Sequence, residues 1–132
     1  MSASILLIED EALIRMMLAD MIEEAGHSVV AEAGDVKRGA ALASDAEFDL
    51  AILDINVGGD TIEPIALAIA GRGKPFFFVS GYGSSGAPNA FRNTPVVTKP
   101  CLLAELQSAI NTALSQLPGK APFDTSGKTL AE

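Results

Sequence analysis

Four short apolar runs in this chain each stop at a residue able to do chemistry. Ile5-Leu6-Leu7-Ile8 ends in the acids Glu9-Asp10-Glu11, and Leu50-Ala51-Ile52-Leu53 ends in Asp54. Pro75-Phe76-Phe77-Phe78-Val79 ends in Ser80, and Val96-Val97-Thr98 ends in Lys99-Pro100. Carboxylates gathered at one place repel, and each resists ionisation unless a cation relieves it. Oxygen ligands at an open rim suit Mg²⁺, a hard ion that keeps several of its waters. A carboxylate beside such a cation, a lysine and a hydroxyl is equipped to attack phosphorus and form an aspartyl phosphate. Asp54 is the best placed of the acids for that role, since a single charge there ends a strand otherwise apolar throughout.

That chemistry requires elements that bring the four run ends together. Continuous apolar runs of four or five residues suit strands covered on both faces. Helical patterns separate them. The spacing predicts a helix from Glu11 to Ala25, with Ile14, Met17, Leu18, Met21 and Ala25 inward, the methionines as core filler, and Arg15 turned away. Gly26 stops it, and His27 reads as a surface turn residue. Ser28–Ala33 is a less apolar strand, suited to a place near the sheet edge. Asp35 caps a second helix reaching Ser44, with Val36, Ala40 and Ala43 inward. Val57 to Thr61 reads as a flexible loop, and a third helix starts at Thr61 to Glu63 and runs to Ala70, with Pro64 in its first turn. Gly81 to Thr94 shows no helical period and predicts a mobile loop with a short turn near Asn89 to Arg92. The last helix runs from Leu102 to Gln116, with Leu103, Leu106, Ala109, Ile110, Ala113 and Leu117 inward.

Strand and helix thus alternate five times, with the fourth helix degraded, which implies a parallel sheet with helices on both faces. Right-handed crossovers leave few topologies. The flavodoxin-like, doubly wound strand order 2-1-3-4-5 places its switch point between the strands ending in Glu9-Asp10 and in Asp54, where ligands bind in such sheets. Residues 1–117 are expected to form this domain and residues 118–132 a flexible tail.

Composition narrows the function. The chain has 132 residues and a formal net charge of -8, with its basic residues scattered, so it offers no nucleic-acid footprint. No apolar run approaches the ~20 residues of a membrane span, and the basic flank of a secretory signal is missing. One cysteine, Cys101, cannot form an internal disulfide and fits the reducing cytoplasm; it reads as a packed thiol. With one histidine a multi-histidine metal site is excluded.

With these motifs in order and at strand ends, the chain resembles a response-regulator receiver domain over residues 3 to about 117. The acid pair matches Glu9-Asp10, the phosphoacceptor Asp54, the Ser/Thr position Ser80, and the Lys-Pro pair Lys99-Pro100. The resemblance implies that Asp10, Asp54 and the backbone carbonyl of Asn56 bind Mg²⁺, with Glu9 acting through water. It also implies a cis peptide at Lys99-Pro100. The stretch KPFFFVSGYG, Lys74 to Gly83, is similar to the "FAT GUY" receivers, with Val79 in place of Ala and Ser80 in place of Thr. Members of that group are similar to partners of the HWE and related histidine kinases. Receivers of the usual kind carry a Tyr or Phe where this chain has Val96, so the coupling of Ser80 to a rotating aromatic is replaced or lost. Tyr82 and Asn56 are the candidates that flank the phosphoryl group and tune its lifetime; Tyr82 read blandly is an exposed loop aromatic.

The function expected is therefore a single-domain response regulator. It accepts a phosphoryl group on Asp54 from a histidine kinase or histidine phosphotransfer protein and signals by protein contact or phosphorelay. It is not expected to be an enzyme in its own right, beyond self-phosphorylation from a phosphodonor and slow autodephosphorylation. Two alternatives stand beside it. A pseudo-receiver would bind partners without phosphorylation. An aspartate-nucleophile phosphatase of the haloacid-dehalogenase type would need a second Asp two residues after Asp54, where the chain has Asn56.

Overall fold

The structure is a computed structural model that describes residues 2–81 and 87–115. Tyr82, Gln116, Leu117 and the expected tail at 118–132 lie outside the described residues. The chain alternates strand and helix: β1 (Ser4–Ile8), α1 (Ala12–Glu24), β2 (Ser28–Ala33), α2 (Val36–Asp45) and β3 (Leu50–Asp54). Two very short strands follow, β4 (Asn56–Val57) and β5 (Asp60–Thr61), then α3 (Glu63–Gly71), β6 (Phe76–Ser80), β7 (Val96–Thr98) and α4 (Leu103–Leu114). Among the described residues between β6 and β7, a 3-10 turn, Asn89–Phe91, stands where a fourth crossover helix would be.

The main sheet has five strands in the order β2-β1-β3-β6-β7, each pair parallel. This is the doubly wound order expected from the alternation, with the switch point between β1 and β3. The central strand β3 is buried along its whole length, because helices cover both of its faces. One core layer packs Leu6, Ile8, Leu53 and Phe78 against α2 and α3. The other packs Leu7, Ile52, Phe77 and Val79 against α1 and α4. Alternate residues of one strand go to opposite layers, as the two-residue strand period requires. Gly39 of α2 is needed for close packing: a Cβ there would lie 3.0 Å from methyl carbons of Ile8 and Ile65.

Several local expectations are corrected. The segment 57–61 is not a flexible loop but the turn and far arm of an antiparallel hairpin, β4 with β5. In α1 the fully inward residues are Leu18 and Ile22, whereas Met17 is 53% exposed. Ile22 lies one turn after Leu18 on the row facing the sheet, while Ile14, Met17 and Met21 look sideways along a groove toward Cys101. Met16 is exposed as well, so among the methionines of α1 the expectation of core filler holds for Met21, which packs against the core, and fails for Met16 and Met17. The short turn expected near Asn89 to Arg92 is present as the 3-10 turn Asn89–Phe91, and Phe91 packs edge-to-face on Phe76 at 5.3 Å between ring centroids, fastening it to the sheet.

His27 is buried rather than a surface turn residue. Its Nδ1 accepts the N–H of Ala3 at 2.9 Å, tying the chain before β1 to the turn before β2. Replacing His27 with Ala leaves that buried N–H without an acceptor. We expect a loss of about 1–2 kcal/mol in urea unfolding, with no change in Mg²⁺ affinity, since the contact lies at the opposite end of the sheet from Asp54.

Candidate functional site

The carboxyl ends of β1, β3, β6 and β7 form one rim, and they carry the residues singled out from the sequence. Three carboxylates, Glu9, Asp10 and Asp54, each present an oxygen within 4.8 Å of the others. Ser80 is the last residue of β6 and is buried beside Asp54's strand. Lys99 follows β7 directly, and the Lys99-Pro100 peptide is cis. Its backbone N–H donates to the Ser80 carbonyl at 2.8 Å, which continues the β6–β7 ladder to the rim.

Glu9 is the most enclosed group in the cluster, with no solvent exposure. A buried carboxylate is tolerated only when its oxygens are matched. Oε1 accepts from Lys99 Nζ at 3.0 Å, and Oε2 accepts from the Glu11 N–H at 3.1 Å. Its backbone is equally tied: the N–H donates to the Ala33 carbonyl at 3.0 Å. The Glu9 carbonyl accepts Arg15 Nη1 at 2.6 Å. Arg15 is therefore not turned away, as its place in the helical pattern suggested. It is half-buried and also pairs with Glu32 through Nε at 3.3 Å. Gly34 gives it room, since a Cβ there would lie 2.9 Å from Nη1. The run Glu9–Arg15–Glu32–Gly34 holds the signal for this contact, but its parts are far apart in the chain.

Asp54 sits next to that group and is 4% exposed. Its Oδ1 accepts the N–H of Asn56 at 3.3 Å, and its Oδ2 lies 3.5 Å from Lys99 Nζ. Lys99 is thus shared, and it lies closer to Glu9 than to Asp54. Burial pushes the Asp54 carboxyl up to about 7, and the Glu9 charge adds to this against the opposing pull of Lys99 and the Asn56 N–H. Burial also works against the charge of Lys99, but Glu9 and then Asp54 outweigh it and hold the ammonium above the usual lysine value. Asp10 behaves oppositely to Asp54. Burial disfavours its charge, yet hydrogen bonding with the Gly58 N–H and with the Asp54 and Glu9 carboxyls carries it below the usual carboxylate range. The Gly58 contact is 3.0 Å to Oδ2.

Three carboxylates share this rim while Lys99 pairs with two of them, Glu9 and Asp54, which leaves the cluster short of positive charge. The donor set is all oxygen and open on the Asp10 side, where the residue is only partly buried. A small hard cation fits this set: it would offset the burial and the Glu9 charge that raise the Asp54 carboxyl, and so favour its ionised form. Asn56 is exposed at the mouth of the site. Cys101 borders the site, but burial raises its thiol above the ordinary value, which suits a packing role.

From the rim a cavity of about 500 Å³ runs along α1, walled by Ile14, Met17 and Met21 on one side and Pro100 and Cys101 on the other. Leu13 and Met16 on α1, and Leu102 just before α4, are exposed. Among the described residues no helix is long and apolar enough to cross a membrane.

Comparison with known proteins agrees with this geometry. A family model described as "Response regulator receiver domain" matches residues 5–66, from β1 into α3. Ser80 and Lys99 fall beyond that match and are joined to the acids by the fold alone. The "Transcriptional regulatory protein PdtaR" of Mycobacterium tuberculosis is 30% identical over 132 residues, covering 97% of this chain and 64% of that protein. The chain therefore spans about 64% of the length of the curated relatives it matches. Among solved structures, SdrG from Sphingomonas melonis is 37% identical with a TM-score of 0.73, over 84% of this chain and 95% of that one. The PhyR response regulator REC domain of Erythrobacter litoralis has a TM-score of 0.76 at 25% identity, over 94% of this chain and 97% of that one.

Proposed function

This chain belongs to the response regulator receiver domains, and on that premise we propose that it is a phosphoacceptor module in which Asp54 takes a phosphoryl group from a phosphohistidine. The observation that carries this reading is the near-complete burial of Asp54 against two further carboxylates and one lysine at the end of the central strand. An Asp54 carboxylate oxygen attacks phosphorus in line with the departing imidazole nitrogen. The P–O bond forms as the P–N bond breaks, and the imidazole leaves with its electron pair and takes a proton from solvent. Asp54 must be ionised to do so, and since burial and the Glu9 charge raise its pKa to about 7, positive charge arriving at the site would favour the reactive form. Mg²⁺, held by Asp10, Asp54 and the Asn56 carbonyl with Glu9 acting through water, would supply that charge and neutralise the phosphoryl oxygens. Lys99 would release Glu9 and Asp54 in part to meet a phosphoryl oxygen, and Ser80 would offer its hydroxyl to another. Asn56, and Tyr82 outside the described residues, are proposed to tune how fast water removes the group.

The signal would then pass through the segment after Ser80, drawn toward the phosphoryl group as the hydroxyl moves. The donor proposed is a sensor histidine kinase, of the HWE or a related class, or a histidine phosphotransfer protein. The apolar cavity leading from Asp54 along α1 supports a partner that lays a helix there and presents its histidine at the rim. The acidic surface and scattered basic residues favour a protein partner over nucleic acid or membrane, within the cytoplasm.

Incubation with Mg²⁺ and a small acyl phosphate, followed by intact-mass measurement, tests the reading. The wild-type chain is expected to gain one phosphoryl group, and Asp54→Ala none. No gain in the wild type would favour a binding module that is never phosphorylated. An equal gain in Asp54→Ala would place the acceptor elsewhere.

A further inference from the structure

The connection that leaves β3 carries a contact the acidic set alone does not explain. Asn56 pairs with Thr61 and Val57 with Asp60, so only Gly58 and Gly59 separate the two arms. Both glycines have positive φ, +61° and +86°, the pattern of the two-residue turn whose twist matches antiparallel strands. A Cβ on either glycine would meet nothing within 4 Å, so it is the backbone conformation and not crowding that calls for glycine here. The closing pair of such a hairpin uses the groups of Val57 and Asp60, which leaves the Gly58 N–H outside the ladder. That N–H donates to Asp10 Oδ2 at 3.0 Å, across 48 residues of chain. Val57 is 1% exposed and anchors the near arm in the core, so the turn is held at a fixed height over Asp10. On the far arm, Thr61 Oγ1 accepts the N–H of Glu63 at 3.2 Å and ties the hairpin to the start of α3.

We propose that the Gly58–Gly59 turn is a positioning device for Asp10. It holds one carboxylate oxygen from the main chain and sets the group toward Glu9 and Asp54 before a divalent cation binds. The inference rests on the cation site proposed above and extends it to residues outside the acidic set. Gly58 acts through Asp10 and touches no reacting atom, so it is a positioning residue. Through Thr61 the same turn couples the geometry of the cation site to the first turn of α3.

Two substitutions separate this role from a general structural one. Gly58→Val puts a β-branched residue at a positive φ and breaks the turn. Gly58→Asn makes Asn-Gly, the pair best suited to this turn, and keeps the N–H. Mg²⁺ is titrated calorimetrically into the full chain, and phosphorylation from a small acyl phosphate is followed across Mg²⁺ concentration. Gly58→Val is expected to weaken Mg²⁺ binding about tenfold and to raise the half-saturating Mg²⁺ by a similar factor. Its rate at saturating Mg²⁺ should match the wild type, and Gly58→Asn should restore the wild-type affinity. Without cation, the residue-58 amide proton should resonate downfield in the wild type and in Gly58→Asn, and upfield in Gly58→Val. If Gly58→Val does not fold, Gly58→Ala carries the same expectations at smaller size. Equal affinities in all the folded proteins, or equal losses in the Val and Asn variants, would overturn the proposal. A wild type that binds no Mg²⁺ overturns it together with the cation site, an outcome distinct from a clamp that fails while binding is intact.

Discussion

Replacing Lys99 with Met is expected to damage both the fold and the phosphoryl chemistry, and by different routes. Met keeps the length and apolar stem of the lysine, so packing is largely preserved while the ammonium is lost. Glu9, with no solvent exposure, would then lose the cation at 3.0 Å from its Oε1. Breaking a buried pair by removing one partner costs about 3 kcal/mol or more, because the remaining charge stays buried without compensation. Denaturant unfolding at neutral pH with a chelator present should show that loss. The double variant Glu9→Gln with Lys99→Met should recover most of it, since the stranded charge is gone. The rate of phosphorylation from a small acyl phosphate should fall about ten- to a hundredfold in Lys99→Met, because a cation aimed at developing charge is missing. The double variant should not recover this rate. A single variant as stable as the wild type would mean that Lys99 does not neutralise Glu9.

The second large effect is on stability against pH. Asp54 has its carboxyl pushed from an ordinary 3.8 up to about 7 in the folded chain, first by burial and then by Glu9. Between these values the folded state binds more protons than the unfolded state, so stability falls as pH rises. The stabilising share is fully present below about 4 and is lost as pH passes through about 7. At about 1.36 kcal/mol per pH unit the whole window is worth on the order of 4 kcal/mol. The measurement is unfolding free energy from pH 5 to 8 with divalent cations chelated, for the wild type and for Asp54→Asn. Asn cannot ionise, so the variant should lose most of the downward slope and be the more stable protein at pH 8. Adding Mg²⁺ should raise wild-type stability most at high pH, where the cation no longer competes with a proton, and should help Asp54→Asn much less. Parallel slopes in the two proteins would show that Asp54 is not the group responsible.

Both effects come from one arrangement, a cluster of three carboxylates with a lysine paired to two of them, and much of that arrangement could be read from the chain. Apolar runs that stop at Glu9-Asp10, Asp54, Ser80 and Lys99 locate the strand ends because a strand buried on both faces cannot carry a charge along its length. Alternation with helices then leaves few topologies, and in those the same strand ends share a rim. Position in the sheet was legible as well: Glu32 marks the less apolar β2, which is one of the two edge strands.

The partners within the site were not legible. Lys99 lies closer to Glu9 than to Asp54, a difference of half an ångström that residue patterning along the chain does not resolve. Arg15 and His27 looked like surface residues because helical periodicity and neighbours in sequence say nothing of a carbonyl or an N–H arriving from another strand. The Val57 to Thr61 segment looked like a loop because Gly-Gly composition does not distinguish a free linker from a tight turn. What decided between them was the pairing of its arms, the burial of Val57 and the carboxylate waiting at the turn. By itself, then, the sequence determined which strand ends meet, since hydrophobic patterning sets strand ends and strand order. Only the tertiary structure decided which atoms pair, because that choice turns on ångström-scale distances between segments far apart in the chain.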